Sequence, residues 1–205
     1  MRERARSSGL ACGILFAVML LASCASTSMV SSKRNPAYSG PELKRLMVIG
    51  VSADARVRHA FEDAFVAKLR AAGVDAQPSY PVLPEINPVD PAKLRKAVQA
   101  AVVDGVLAAK LVKVERDPNG LEGFSFENRT AEFYEYYASG SDGSFDPSSG
   151  DTSNLITIHF DLYSVAGSQL VWSGDAATYP STDVKNVTDG LAYAVIRSLK
   201  EQKLI

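Results

Sequence analysis

Leu155-Ile-Thr-Ile-His-Phe-Asp-Leu-Tyr-Ser-Val-Ala-Gly-Ser-Gln-Leu-Val-Trp172 is the stretch on which the fold turns. Ile156, Ile158, Phe160 and Leu162 alternate with Thr157, His159, Asp161 and Tyr163, the period of a strand with one apolar and one polar face. Ala166-Gly167-Ser168 then breaks the pattern and leads into Gln169 to Thr178, so the stretch predicts an antiparallel hairpin. Its polar side predicts a sheet face open to water.

Upstream the pattern changes. Leu46-Met-Val-Ile-Gly-Val51 is continuously apolar, as in a strand buried on both faces. From Ala55 to Ala72, Val57, Phe61, Ala64, Phe65, Leu69 and Ala72 recur at helical spacing, with Gly73 as the stop. Asp75 to Tyr80 reads as a short strand, and Pro78, Pro81, Pro84, Pro88 and Pro91 keep the following connection extended. Helical spacing returns from Pro91 to Val103 through Leu94, Val98, Ala101 and Val102, with Asp90 as cap and Pro91 in the first turn. Gly105 to Glu115 predicts a third strand running from the core outward. Thr130-Ala-Glu-Phe-Tyr-Glu-Tyr-Tyr137, within Ser125 to Ser139, predicts a fourth by its aromatic content. Gly140 to Asn154 reads as a loop, and Asp183 to Leu199 as a closing helix with Val187, Leu191, Ala194, Val195 and Leu199 on its apolar face and Thr182 as cap. The order β-α-β-α-β-β-β-β-α predicts an α+β fold: a mixed β-sheet with helices mainly on one face.

The start of the chain is an address. Arg2, Arg4 and Arg6 precede an apolar run from Leu10 to Ala22, roughly 13 residues where a spanning helix needs about 20. The run ends Leu21-Ala22-Ser23-Cys24, which resembles the lipobox of bacterial lipoproteins. That resemblance implies that residues 1–23 are a signal peptide and that Cys24 becomes the first residue of the mature chain. Cys24 would carry diacylglycerol in thioether linkage, with palmitate-type acyl chains anchoring it to a membrane. Ala25 is not the aspartate associated with inner-membrane retention in such lipoproteins, which implies the outer membrane, facing the periplasm. Residues 24–42 read as a Ser- and Pro-rich lipidated tether, holding a single domain, 43–205, within roughly 25 Å of the lipid.

Composition excludes several chemistries. The only cysteines are Cys12 and Cys24, so the mature domain has no free thiol for disulfide, thiolate-metal or nucleophilic work. The net charge of −1 becomes about −3 once the three Arg and one Glu of the signal are gone, which argues against nucleic acid as a partner. No phosphate-cradling glycine loop, G-x-S-x-G or H-E-x-x-H occurs, so no cofactor or catalytic motif is expected. His59 with Glu62 and Asp63 sets an imidazole and a carboxylate at i and i+3, as metal sites do; without a second histidine at ligand spacing the group reads as a solvated helix face. His159, Thr157 and Asp161 share one strand face, a proton-transfer arrangement in principle, and the wet side of an antiparallel strand more simply. Glu132 and Glu135 are paired acids at the edge of the expected fourth strand. Phe133, Tyr134, Tyr136, Tyr137 and Phe145 lie among Glu132, Glu135, Asp142, Asp146 and Asp151. They are the candidate partner contact surface, the alternative being aromatics packed on the sheet. The segment Phe133 to Asp151 is expected to hold the least ordered part of the domain.

With this element order the chain resembles the α+β lipoprotein domains related to the N-terminal domain of the translocation protein TolB. That group includes the penicillin-binding-protein activator LpoB and the periplasmic part of the curli secretion lipoprotein CsgG. The resemblance is carried by Leu46 to Val51, Asp104-Gly105-Val106-Leu107 and Leu162 to Gly174 with its Trp172-Ser-Gly174 exit. It implies envelope accessory work without catalysis, through a protein partner. Pore formation is not implied, because paired alternating segments long enough for a barrel are lacking. The competing class is an enzyme acting on envelope polymers, a hydrolase or glycan-binding enzyme.

Overall fold

The protein is described by a computed structural model covering residues 27–85, 88–112, 125–139, 156–179 and 183–205. The apolar strand read above is β2 (Arg45–Val51), which is buried from Leu46 onward. It pairs in parallel with β3 (Asp75–Pro78) on one side and β4 (Gly105–Val112) on the other. Because the chain crosses first to one flank and then to the other, right-handed crossovers must place their helices on opposite faces. They do. Helix α1 (Ala55–Ala71) packs Phe61, Phe65 and Leu69 with Leu46 and Val48, whereas α2 (Pro91–Ala100) packs Leu94 and Val98 with Met47 and Ile49. The sheet is therefore lined by two hydrophobic cores.

The local signals hold where they are strongest. Asp54 caps α1 through the Arg56 amide, and Gly73 follows the C-cap at φ +91°, with the Val74 amide returning to the Leu69 carbonyl. Asp90 caps α2 with Pro91 in its first turn. The hairpin is β5 (Ile156–Ser164) and β6 (Gln169–Thr178), antiparallel, with a bulge beside Leu162 and Tyr163. The last helix, α5 (Val184–Glu201), is capped by Asp183, which accepts the Lys185 and Asn186 amides; Thr182 lies outside the described residues. The α+β class and mixed sheet are as expected, with strand order β1-β6-β5-β4-β2-β3, where β1 is Thr27–Arg34, and the two long helices α1 and α5 share the core that holds Trp172.

Two segments depart from the expected reading. Residues 27–34, read as tether, form β1 (Thr27–Arg34), antiparallel to β6 from Thr27 opposite Thr178 to Arg34 opposite Trp172. An edge strand needs backbone pairing and only half-burial, so a Ser- and Thr-rich sequence without hydrophobic periodicity can fill it. The bulge at Val30 and the flanking Lys33 and Arg34 protect its open edge. The chain then stays on the domain: the Asn35 side chain donates through Nδ2 to the Leu170 carbonyl at 2.7 Å, and Tyr38 and Leu43 are buried. Residues 27–43 are thus packed on the sheet, where a free tether was expected up to residue 42.

The expected fourth strand is two short helices instead, α3 (Phe126–Ala131) and α4 (Phe133–Ala138). Aromatic strand propensity loses to packing, since Phe133, Tyr134 and Tyr137 stand at i, i+1 and i+4 and so form one helical stripe against the second core.

Candidate functional site

That substitution of helix for strand decides the fate of the polar face. Thr157, His159, Asp161 and Tyr163, expected to be wet, are all buried, and α4 sets Tyr136 against His159 and both Phe133 and Tyr134 against Tyr163. Strand register then assembles a site that single-strand reading cannot see. Lys110 of β4, His159 of β5, Asp175 of β6 and Ser31 of β1 lie opposite one another in sequence across the sheet. The next row is Ala108, Asp161, Ser173 and Lys33.

At the centre an imidazole stands between two carboxylates. His159 Nδ1 is 2.6 Å from Asp175 Oδ1, and Nε2 is 3.2 Å from Asp161 Oδ1 and 3.3 Å from Ser173 Oγ. Ser31 donates to the other Asp175 oxygen at 2.8 Å. Burial disfavours the charged ring, but the Asp161 and Asp175 carboxylates outweigh it and lift the His159 pKa to about 9. Burial likewise works against ionised Asp161, and the charge of His159 beside it wins, holding its pKa below the ordinary carboxylate value. Neither oxygen of Asp161 is aligned with a hydrogen-bond donor among the described residues, so its contact with His159 is an ion pair by proximity.

Helix α4 roofs this cluster. The Tyr136 ring meets His159 edge-on at 6.1 Å and lies under two cations, Arg129 at 3.8 Å and Lys110 at 4.3 Å from its centroid. Lys110 also donates to the Tyr136 carbonyl and Ser139 hydroxyl, each at 3.1 Å, and the Tyr137 hydroxyl donates to the Ala108 carbonyl at 3.4 Å. Burial pushes the Tyr136 phenol up to about 12, with Arg129 pulling the other way. A general base needs a neutral ring nitrogen facing substrate. Here both nitrogens are engaged and His159 is 5% exposed. The arrangement locks β1, β6, β5 and β4 to α4.

A second buried polar group was hidden in α1. Glu62, read above as part of a solvated face, is fully buried and pairs with Arg58 at 2.8 Å. Its carboxylate accepts from the Gly50, Ser79 and Tyr80 amides and the Ser79 hydroxyl, while Arg58 donates to Ser79 Oγ and the Pro84 carbonyl. The signal available in the sequence was Arg58 and Glu62 at i and i+4 beside Phe61 on the apolar stripe. His59 does not join Glu62 and Asp63 as a ligand set: its ring lies 4.1 Å from that of Tyr80, whose hydroxyl donates to Asp63. Above this group a cavity of about 20 Å³, room for one water, is lined by Gly50, Ser52, Phe61, Ala109 and Ile158 at the carboxyl end of β2.

The aromatics expected at a contact surface divide. Phe133, Tyr134 and Tyr137 are buried, with Phe133 stacked on Tyr163 at 4.4 Å, and Tyr136 is half-buried in the roof. Glu132, between α3 and α4, and Glu135 on α4 are exposed. Phe145, the loop 140–155 and Cys24 lie outside the described residues. No helix among the described residues is long and apolar enough to cross a membrane.

No protein-family model matches the chain, and no curated protein is similar to it. Among solved structures it is similar to the PelC dodecamer from Paraburkholderia phytofirmans, at 14% identity and a TM-score of 0.43 over 82% of this chain and 94% of that one. A single-substitution variant of the same dodecamer gives 13% identity and 0.42 over 80% and 93%. Likeness of this size assigns no function.

Proposed function

We propose that the chain is a lipid-anchored protein of the bacterial cell envelope, at the outer membrane and facing the periplasm, whose domain holds a protein partner at the membrane surface without performing chemistry. The observation that carries this reading is the spacing between the lipidation cysteine and the sheet. Strand β1 begins at Thr27, so only Ala25 and Ser26 separate Cys24 from a strand paired along β6. Three residue steps reach at most about 10 Å, against the roughly 25 Å of a flexible 18-residue tether. A domain held that close acts on what is brought to the membrane surface. The two buried ionic groups support the non-catalytic half, because His159 and Glu62 spend their polar atoms on backbone and side chains of the fold.

Labelling cells with an alkyne-tagged fatty acid tests the anchor: wild-type protein carries the label and fractionates with membranes, and Cys24→Ser does neither. Equal labelling of the two sinks it. Photocrosslinking from exposed positions on α3 and α4 tests the partner, with a discrete protein adduct expected from the anchored form and lost in Cys24→Ser. Release of fragments from envelope glycan by purified wild type, abolished in a folded His159→Gln variant, would establish the enzyme instead.

A further inference from the structure

The start of β1 is fixed, not merely paired. Thr27 lies opposite Thr178 with their hydroxyls 2.7 Å apart, and it packs so closely on α5 that a Cβ at Gly190 would fall 2.6 Å from Thr27 Oγ1. Residue 27 therefore cannot swing away from the end of β6 or from the first half of α5. If Cys24 carries acyl chains in a bilayer, chain length alone brings this rim within about 10 Å of the headgroup layer.

The rim has the surface such a position asks for. Five large apolar side chains are exposed among the described residues, and three belong here: Tyr179, next after Thr178, at 53%; Tyr193, one turn beyond Gly190, at 65%; and Val30 on the β1 bulge. Of the other two, Val82 follows β3 at the far edge of the sheet from β1, and Val102 precedes β4 at the opposite end of the sheet, where Gly105 pairs with Ser164. Tyrosine is the side chain suited to a membrane–water boundary, since its ring enters the acyl boundary while its hydroxyl stays among headgroups.

We infer that the rim formed by the start of β1, the end of β6 and α5 as far as Tyr193 is the face that lies against the lipid bilayer, with Tyr179 and Tyr193 seated in its interface. This rests on the lipid-anchor reading and adds to it a fixed orientation: the end of the sheet bearing Val102 points away from the membrane.

The test uses the mature lipidated protein in phosphatidylethanolamine–phosphatidylglycerol vesicles with brominated acyl chains. The native Trp172 is fully buried and supplies a constant background. Tyr179→Trp, and independently Tyr193→Trp, should add emission that is blue-shifted and quenched about twofold or more by the brominated lipid, as for an interfacial indole. Val102→Trp should add emission that is not quenched. Protein that floats with the vesicles while all three reporters are quenched alike, or none is, overturns the orientation and leaves the anchor standing. Protein that fails to float overturns the anchor and the orientation with it.

Discussion

His159 and Asp175 face each other across the β5–β6 pairing with Nδ1 and Oδ1 2.6 Å apart, both side chains sealed beneath α4. Folding thus raises the pKa of His159 from an ordinary 6.5 to about 9. A raised folded-state pKa contributes stability that is complete below pH 6.5 and lost as pH climbs through about 9. The contribution is on the order of 3 kcal/mol for a group this buried. Urea midpoints should therefore be flat from pH 5.5 to 6.5 and decline from there to pH 9. In His159→Gln the midpoint at pH 6 should drop and the decline disappear. An unaltered slope in that variant would show that another group titrates.

Asp161 has the opposite sign. Its folded-state pKa is depressed, so its stabilisation is present above the usual carboxylate range and fades on acidification through the folded value. Asp161→Asn should weaken the protein most near neutral pH and least in acid, narrowing the gap to wild type as pH falls below 4. A gap that stays constant on acidification would mean that shape, not charge, is what Asp161 contributes.

Glu62 and Arg58 make a different kind of claim, because the pair is buried and each of its side-chain nitrogens and oxygens has a hydrogen-bond partner. Glu62→Leu leaves the Gly50, Ser79 and Tyr80 amides without their acceptor and Arg58 without its counter-charge. Removing one partner of such a pair costs about 3–5 kcal/mol. Arg56→Ala, which breaks an exposed pair with Asp54 on the same helix, should leave the urea midpoint unchanged. Equal losses from the two variants would contradict the burial of Glu62.

The N-terminal segment can be tested as structure. A chain that begins at Leu43 removes β1 and bares the β6 edge, so it should lose cooperative unfolding and the blue-shifted emission of Trp172. A finer probe is Asn35→Ala, which deletes the donor to the Leu170 carbonyl and the acceptor of the Ala37 amide. A buried polar pairing of this kind is worth about 1–3 kcal/mol when one side is left unmade. A neutral outcome in both would return residues 27–42 to the role of a linker.

The pattern of what could be read from the sequence has a physical cause. Leu46 to Val51, Gly73 and the Asp90-Pro91 cap are local signals, complete within a few residues, and the structure keeps them. Thr27 to Arg34 carries no such signal, since an edge strand of Ser and Thr takes its order from β6. For Phe133 to Tyr137, strand propensity and helical spacing compete within one short segment, and only contact with Tyr163 and Leu94 decides between them. Alternation in Ile156 to Tyr163 assigns His159 and Asp161 to one face, but whether that face is wet depends on what packs on it, here the helix at 133–138. The rows joining Lys110, His159, Asp175 and Ser31 come from strand order, which no single stretch encodes.

Gly190 offers the sharpest test of how β1 is held. Alanine in a helix interior is worth about 1 kcal/mol over glycine, so Gly190→Ala should stabilise α5 if the site has room. It has none: the added Cβ would meet Thr27 Oγ1 at 2.6 Å and Thr27 Cβ at 3.2 Å, and a β-branched side chain in a paired strand has little freedom to retreat. Overpacking of this kind costs about 1–3 kcal/mol, so the sum is a net loss. Shortening the partner should reverse the sign. In a Thr27→Ala background the hydroxyl is gone, and Gly190→Ala should become neutral or stabilising by up to about 1 kcal/mol. A double-mutant cycle on urea midpoints gives the coupling directly, expected at about 1–3 kcal/mol for residues in contact. Additivity within error would mean that Thr27 and Gly190 do not touch, and the clamp that holds the start of the sheet against α5 would have to be abandoned.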